Sequence, residues 1–193
     1  MDRRVMSGVG LVAALSVIVG CSSDNAVSEK NEFGPMQEKV AKITASGGLA
    51  AVGIGESRSI NSALEKAKTR ARTEIGFVIE TKLSALRKDF SEEVGEGKGS
   101  EINALFSSVS KHVTDNVLRG TVATDVKYET KDGVTTAYAL VEQNPKILAQ
   151  AMESVGPDAN KAMYTRFRSS QAFKELDEEV KKYEEFKKQQ GGM

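Results

Sequence analysis

The chain has 193 residues with 27 Lys plus Arg against 27 Asp plus Glu, so it has no basic excess with which to neutralise a phosphate backbone, and nucleic-acid binding is not expected. A single His and a single Cys exclude a site built on two imidazoles, an intramolecular disulfide and a multi-cysteine zinc centre. Hydrophobic residues make up 39% of the chain, enough for one packed domain and too many for wholesale disorder.

Arg3 and Arg4 precede an apolar run from Val5 to Val19, which closes on Ile18-Val19-Gly20-Cys21. A short positive region, an apolar core and small residues before a cut are the pattern of a secretory signal, here over residues 1–20. The run is shorter than the ~20 apolar residues a bilayer span needs and is interrupted by Gly8, Gly10 and Ser16. The junction resembles the lipobox of bacterial lipoproteins. That resemblance implies cleavage between Gly20 and Cys21, a diacylglycerol on the Cys21 thiol and an acyl chain on its amine. No other cofactor is expected. Ser22 after the acylated position implies, by the same resemblance, sorting to the outer membrane, with the protein facing the periplasm or the cell surface.

Residues 22 to 32 are mostly Ser, Asp, Asn, Glu and Lys and cannot bury enough surface to order themselves. Residues 21–34 therefore read as an acylated N-terminus and a tether, whose flexible part spans roughly 18 Å.

The folded part begins with Pro35, Met36, Val40 and Ile43 ahead of Gly47-Gly48, the signature of a short helix. Leu49 to Ile54 is a brief apolar run that predicts a buried first strand. From Ile60, apolar residues recur in steps of three and four through Ala63, Ala67, Ala71, Ile75, Ile79, Leu83, Leu86 and Phe90, predicting a helix of about thirty residues. The alanines permit close approach to a sheet. The Gly-rich acidic segment from Glu92 to Gly99 predicts a loop, and a second helix follows from Ser100 to Gly120.

Thr121–Thr130 and Val134–Val141 read as a hairpin around Lys131-Asp132-Gly133. A two-residue Asp-Gly turn places Val126 with Ala137 and Ala139. A three-residue loop instead places Val122, Val126 and Tyr128 with Val134, Tyr138 and Leu140, and is preferred because it gives one apolar face for a covering helix. A helical stretch from Asn144-Pro145 to about Ser154 is interrupted at Gly156-Pro157-Asp158. The chain ends in a helix from about Ala159 to Lys188, with outward pairs Asp177/Lys181, Glu178/Lys182 and Glu184/Lys188. The fold class expected is α+β: a small antiparallel three-stranded sheet packed against a long helix, with additional helices including a long C-terminal one.

Candidate chemistry is sparse. Gly53-Ile54-Gly55 lacks the third glycine of a dinucleotide loop, Arg58 standing in its place, and no Gly-Lys-Ser/Thr follows. Lys66, Lys68, Arg70 and Arg72 read as a solvated helix face, with anionic lipid head groups as the other reading. His112 reads as a polar-face residue, and no metal site or catalytic set stands out. The stripe Phe173, Leu176, Val180 and Tyr183 is read as a helix closing over its own sheet or as a seam with another copy, and so as the candidate interaction surface.

Cys21, Ala51-Val52-Gly53-Ile54-Gly55, the spaced Ala63, Ala67 and Ala71 leading to Arg72-Thr73-Glu74-Ile75, Leu118-Arg119-Gly120 and Ala137-Tyr138-Ala139-Leu140-Val141 together resemble the LPP-twenty family of outer-membrane lipoproteins. The resemblance covers about residues 47 to 142. It implies an α+β domain, placed here at 35–157 with residues 158–193 as a charged amphipathic helix beyond it. It also implies a non-enzymatic structural or assembly role in the cell envelope, with links to flagellar outer-membrane structures in some members. The partners expected are the membrane through the lipid anchor, and a second copy or an envelope protein. The alternative is a carrier or sensor that binds a small apolar ligand between helix and sheet.

Overall fold

The computed structural model describes residues 32–191 apart from Glu96, and only the backbone at 117–120. Asn31–Met193 form one compact unit. Its elements in chain order are α1 (Phe33–Ala45), β1 (Leu49–Ser57), α2 (Ile60–Val94), α3 (Gly99–Gly120), β2 (Ala123–Lys131), β3 (Val134–Gln143), α4 (Lys146–Ser169) and α5 (Gln171–Gly191). This is the expected α+β class, with a three-stranded antiparallel sheet in the order β1-β3-β2.

The 35-residue α2 is the spine of the fold, about 52 Å long at 1.5 Å per residue. Its first half lies on the sheet through Ala63, Ala67 and Ala71, all fully buried against Ala137, Ala139 and Val141 of β3. Its second half leaves the sheet. Ile75, Ile79, Leu83, Leu86 and Phe90 pack instead with Leu105, Phe106 and Val109 of α3, Leu148 and Phe167 of α4 and Leu176 of α5. One helix thus serves two cores because its stripe changes from small to bulky side chains. Phe167 is the hub of the helical core, edge-on to Phe90, Phe106 and Phe173 at ring separations of 5.3, 5.4 and 5.6 Å.

The sheet is covered on both faces. Opposite α2, Met36 and Ile43 of α1 and Tyr183 of α5 pack on Ala50, Tyr138 and Leu140. The chain turns from α1 into β1 through Gly47, whose φ of +87° suits glycine, while Gly48 N–H bonds Ile43 O at 2.9 Å and Gly47 N–H bonds Thr44 O at 2.9 Å.

Three sequence expectations are corrected. First, β1 runs on through Gly53 and Gly55 to Ser57. Second, the hairpin takes the two-residue turn: Lys131 faces Val134, Val126 faces Ala139 and Lys127 faces Tyr138. Asp132 and Gly133 have φ of 51° and 75°, the paired positive values of the tight hairpin turn that Asp-Gly favours. Third, the helix expected from Ala159 to Lys188 is two segments. The first helix of this region continues through Pro157 to a break at Asn160, whose φ and ψ are −165° and 96°. A second break at Ser170, with ψ of 161°, separates α4 from α5. Both breaks are side-chain capped: Asn160 Oδ1 accepts from Met163 N–H at 3.0 Å and Ser170 Oγ from Phe173 N–H at 3.2 Å. The loop expected over Glu92–Gly99 is correspondingly short, since α2 extends to Val94 and α3 starts at Gly99.

Candidate functional site

The residues expected to carry the anchor, Gly20 and Cys21, lie outside the described residues. What the structure describes is the body to which that segment is joined, and its functional surfaces follow from the sheet.

A strand order of β1-β3-β2 leaves β1 and β2 as edges, each with one row of backbone groups unpaired by the sheet. The β1 edge is occupied. Lys66 Nζ donates to Glu56 O at 2.9 Å and an Arg70 guanidinium N–H to Ile54 O at 2.7 Å, while Arg72 Nε donates to Thr121 O at 3.1 Å. Side chains on a helix lean towards its N-terminus, and α2 runs beside β1, so Lys66 and Arg70 fold back onto the strand's outward carbonyls, while Arg72 reaches the segment before β2. The basic run is therefore a strand cap rather than a purely solvated face. Only the fourth member, Lys68, pairs along the helix, with Glu65 at 3.0 Å. Among the described residues no side chain caps the outward carbonyls of the β2 edge in this way. Asp125, Lys127, Glu129 and Lys131 alternate along it on one face, with Val126, Tyr128 and Thr130 on the other.

The face opposite α2 closes under a set of ion pairs. Lys39 of α1 pairs with Asp125 of β2, and Lys187 of α5 pairs with Glu142 of β3 at 2.7 Å. Here the stripe proposed for interaction finds its partners within the chain: Leu176, Val180 and Tyr183 are buried and Phe173 is half-buried, set edge-on against Phe167. Of the outward pairs expected on α5, Asp177–Lys181 closes at 2.7 Å, while Glu184 pairs with Lys146 of α4 at 3.6 Å.

Two phenols beneath these ion pairs resist ionisation. Burial, then the hydrogen bond donated to Glu129 at 2.9 Å and nearby carboxylates, pushes Tyr138 up to about 12. Burial, then Glu142, pushes Tyr183 up to about 12. The unfolded chain loses these protons near pH 10, before the folded chain does, so their stabilising contribution is intact below pH 10 and is lost between about 10 and 12. An alkaline absorbance titration should therefore show two of the four tyrosines ionising late, with the melting temperature falling across the same window.

The clefts are surface features. A cleft of about 510 Å³ between α3 and α4 is lined by His112, Asn116, Gln150, Glu153 and Ser154. His112 thus lies on a polar surface, and no cluster of three or more His, Cys, Asp or Glu is suited to hold a metal among the described residues. Between α2 and the sheet the backbones nearly touch: a Cβ on Gly53 would fall 2.1 Å from Ala71 N, and one on Gly55 2.2 Å from Ala63 O. The Gly53-Ile54-Gly55 segment therefore serves close packing, and the helix-sheet contact has no space for a small apolar ligand at these residues. Among the described residues no helix is long and apolar enough to cross a membrane. No protein-family model, curated protein or solved structure matches the chain.

Proposed function

We propose that the chain is a bacterial lipoprotein, held at the outer membrane by acyl chains on Cys21, whose folded body is a non-enzymatic component of the cell envelope that acts by assembly. The observation that carries this reading is the one cysteine of the chain, placed at the end of an apolar run that follows Arg3-Arg4 and closes on Ile18-Val19-Gly20. An unpaired thiol in an exported protein is a liability unless it is consumed, and acylation consumes it. Each buried methylene contributes ~0.8 kcal/mol, so two or three chains anchor the protein durably where one would not.

Neutrality fits the same reading. Loss of residues 1–20 leaves 25 basic and 26 acidic side chains, so attachment falls to lipid rather than to bulk charge. The assembly role is supported by the LPP-twenty resemblance and by a sheet with one capped and one uncapped edge. The tightly closed contact of α2 on β1 favours assembly over carriage of a ligand.

Full-length chain expressed in a double-membraned bacterium with a labelled fatty acid tests the anchor. Wild type should give a shortened, labelled product in the outer-membrane fraction, and Cys21→Ser an unlabelled precursor that retains residues 1–20. A wild-type product that is cleaved, unlabelled and soluble without detergent would overturn the reading.

A further inference from the structure

We propose that the uncapped edge of β2 is the self-association surface of this protein, pairing antiparallel with β2 of a second copy about a twofold axis at Tyr128. The result is a continuous six-stranded sheet. This deepens the assembly half of the function proposed above and rests on it, but not on acylation of Cys21.

The backbone supplies the first argument. In a two-residue hairpin the residues flanking the turn, Lys131 and Val134, exchange hydrogen bonds, and the pattern alternates along the ladder. The N–H and C=O groups of Val126, Tyr128 and Thr130 therefore point away from β3, and no hydrogen bond among the described residues reaches them. An axis at Tyr128 sets Val126 against Thr130 of the second copy and Tyr128 against its own equivalent. Every outward-pointing residue then meets another one, which gives about six new backbone hydrogen bonds.

Charge selects the register. With the axis at Tyr128, Lys127 faces Glu129 and Asp125 faces Lys131, and twofold symmetry repeats both, so four opposite-charge pairs form and no like-charge pair does. An axis one residue away, at Lys127 or Glu129, sets Lys against Lys or Glu against Glu. An axis two residues away, at Val126 or Thr130, forms only two opposite-charge pairs, Asp125 with Lys127 or Glu129 with Lys131. Asp-x-Lys-Tyr-Glu-x-Lys is therefore complementary to its own reverse.

The intrachain contacts leave this arrangement open. Asp125 already meets Lys39, Glu129 accepts from Tyr138 and Lys131 is engaged within the chain, but each carboxylate has further lone pairs and each ammonium three donors, and among the described residues Lys127 has no ion-pair partner. Exposure points to the same edge. Of the five large apolar side chains exposed among the described residues, Val122, Tyr128 and Val134 belong to this hairpin or adjoin it, with Val122 74% exposed and Tyr128 54%. The other edge differs because Lys66 and Arg70 fill the outward carbonyls of β1.

Charge reversal tests the pairing in the full-length lipidated chain, purified in detergent and followed by sedimentation equilibrium. Wild type should dimerise. K127E alone and E129K alone each replace two attractive pairs by two repulsive ones and should weaken the dimer at least about tenfold. An equimolar mixture should restore it, because each introduced charge then faces its opposite on the other chain. Among the described residues Lys127 has no ion pair to lose, so K127E tests the edge even if E129K melts early. A monomeric wild type, single variants as dimeric as wild type, or a mixture of folded variants that stays monomeric would overturn the proposal. None of these results touches the anchor, which lipid labelling reads separately.

Discussion

Gly53→Ala, the addition of one methyl group, should unfold the domain or lower its stability by more than about 4 kcal/mol, an effect reserved for substitutions that break packing outright. At this position a Cβ would lie 2.1 Å from Ala71 N, 2.2 Å from Ala67 O and 2.8 Å from Ala71 Cα. These are backbone atoms, so no rotamer change relieves the overlap and the whole of α2 must lift from β1. Lifting it would open the contact of Ala63, Ala67 and Ala71 with Ala137, Ala139 and Val141, whose value lies in its closeness because alanines bury little area each. Gly76→Ala is the matched control on the same helix. Nothing lies within 4 Å of its added Cβ, and removing a glycine from a helix interior should stabilise by ~0.5–1 kcal/mol. Thermal melts of the two variants check both signs. A Gly53→Ala protein that melts with wild type would mean that α2 does not approach β1 this closely.

The glycines also mark where sequence reading reaches its limit. The helical stripes were legible because apolar residues at three- and four-residue steps can share a face only in a helix, and Ala63 to Phe90 kept that period throughout. The hairpin register was not, because Ala137-Tyr138-Ala139-Leu140-Val141 is apolar at every position. Alternation has nothing to report in a strand buried on both faces, and a single apolar face is required only of a sheet with one covering layer. The Asp132-Gly133 turn chemistry was the better guide. The role of Lys66, Arg70 and Arg72 was hidden for another reason: their acceptors on Ile54, Glu56 and Thr121 are backbone carbonyls, which carry no sequence signal. The charge pattern of β2 was in plain view, but it acquires meaning only once β3 lies between β1 and β2, an order set by long-range pairing. The anchor shows the converse case, since its reading at Cys21 comes from local sequence alone.

Leu176→Asp should unfold the domain rather than merely change how copies associate. As part of a stripe at helical spacing, Leu176 fits a seam between chains as well as a helix closing over its own fold, and a seam residue would tolerate a charge with loss of association alone. In the structure Leu176 is 1% exposed, in the same core as Phe90, Phe167 and Met163. Truncating such a leucine to alanine costs ~2–5 kcal/mol, and a carboxylate adds a charge inside an apolar cluster, so the total approaches the whole stability of a domain. Leu176→Ala separates the two contributions: it should leave a folded protein with a lowered melting temperature, whereas Leu176→Asp should show no cooperative transition near neutral pH. With α5 closing its own core, the association proposed for the β2 edge does not involve Leu176. The two sites should therefore respond oppositely, Leu176→Ala lowering the melting temperature while dimers persist, and K127E removing dimers while the melting temperature of the monomer holds. A Leu176→Asp protein that melts like wild type would return the stripe to the surface and α5 to the role of a seam between copies.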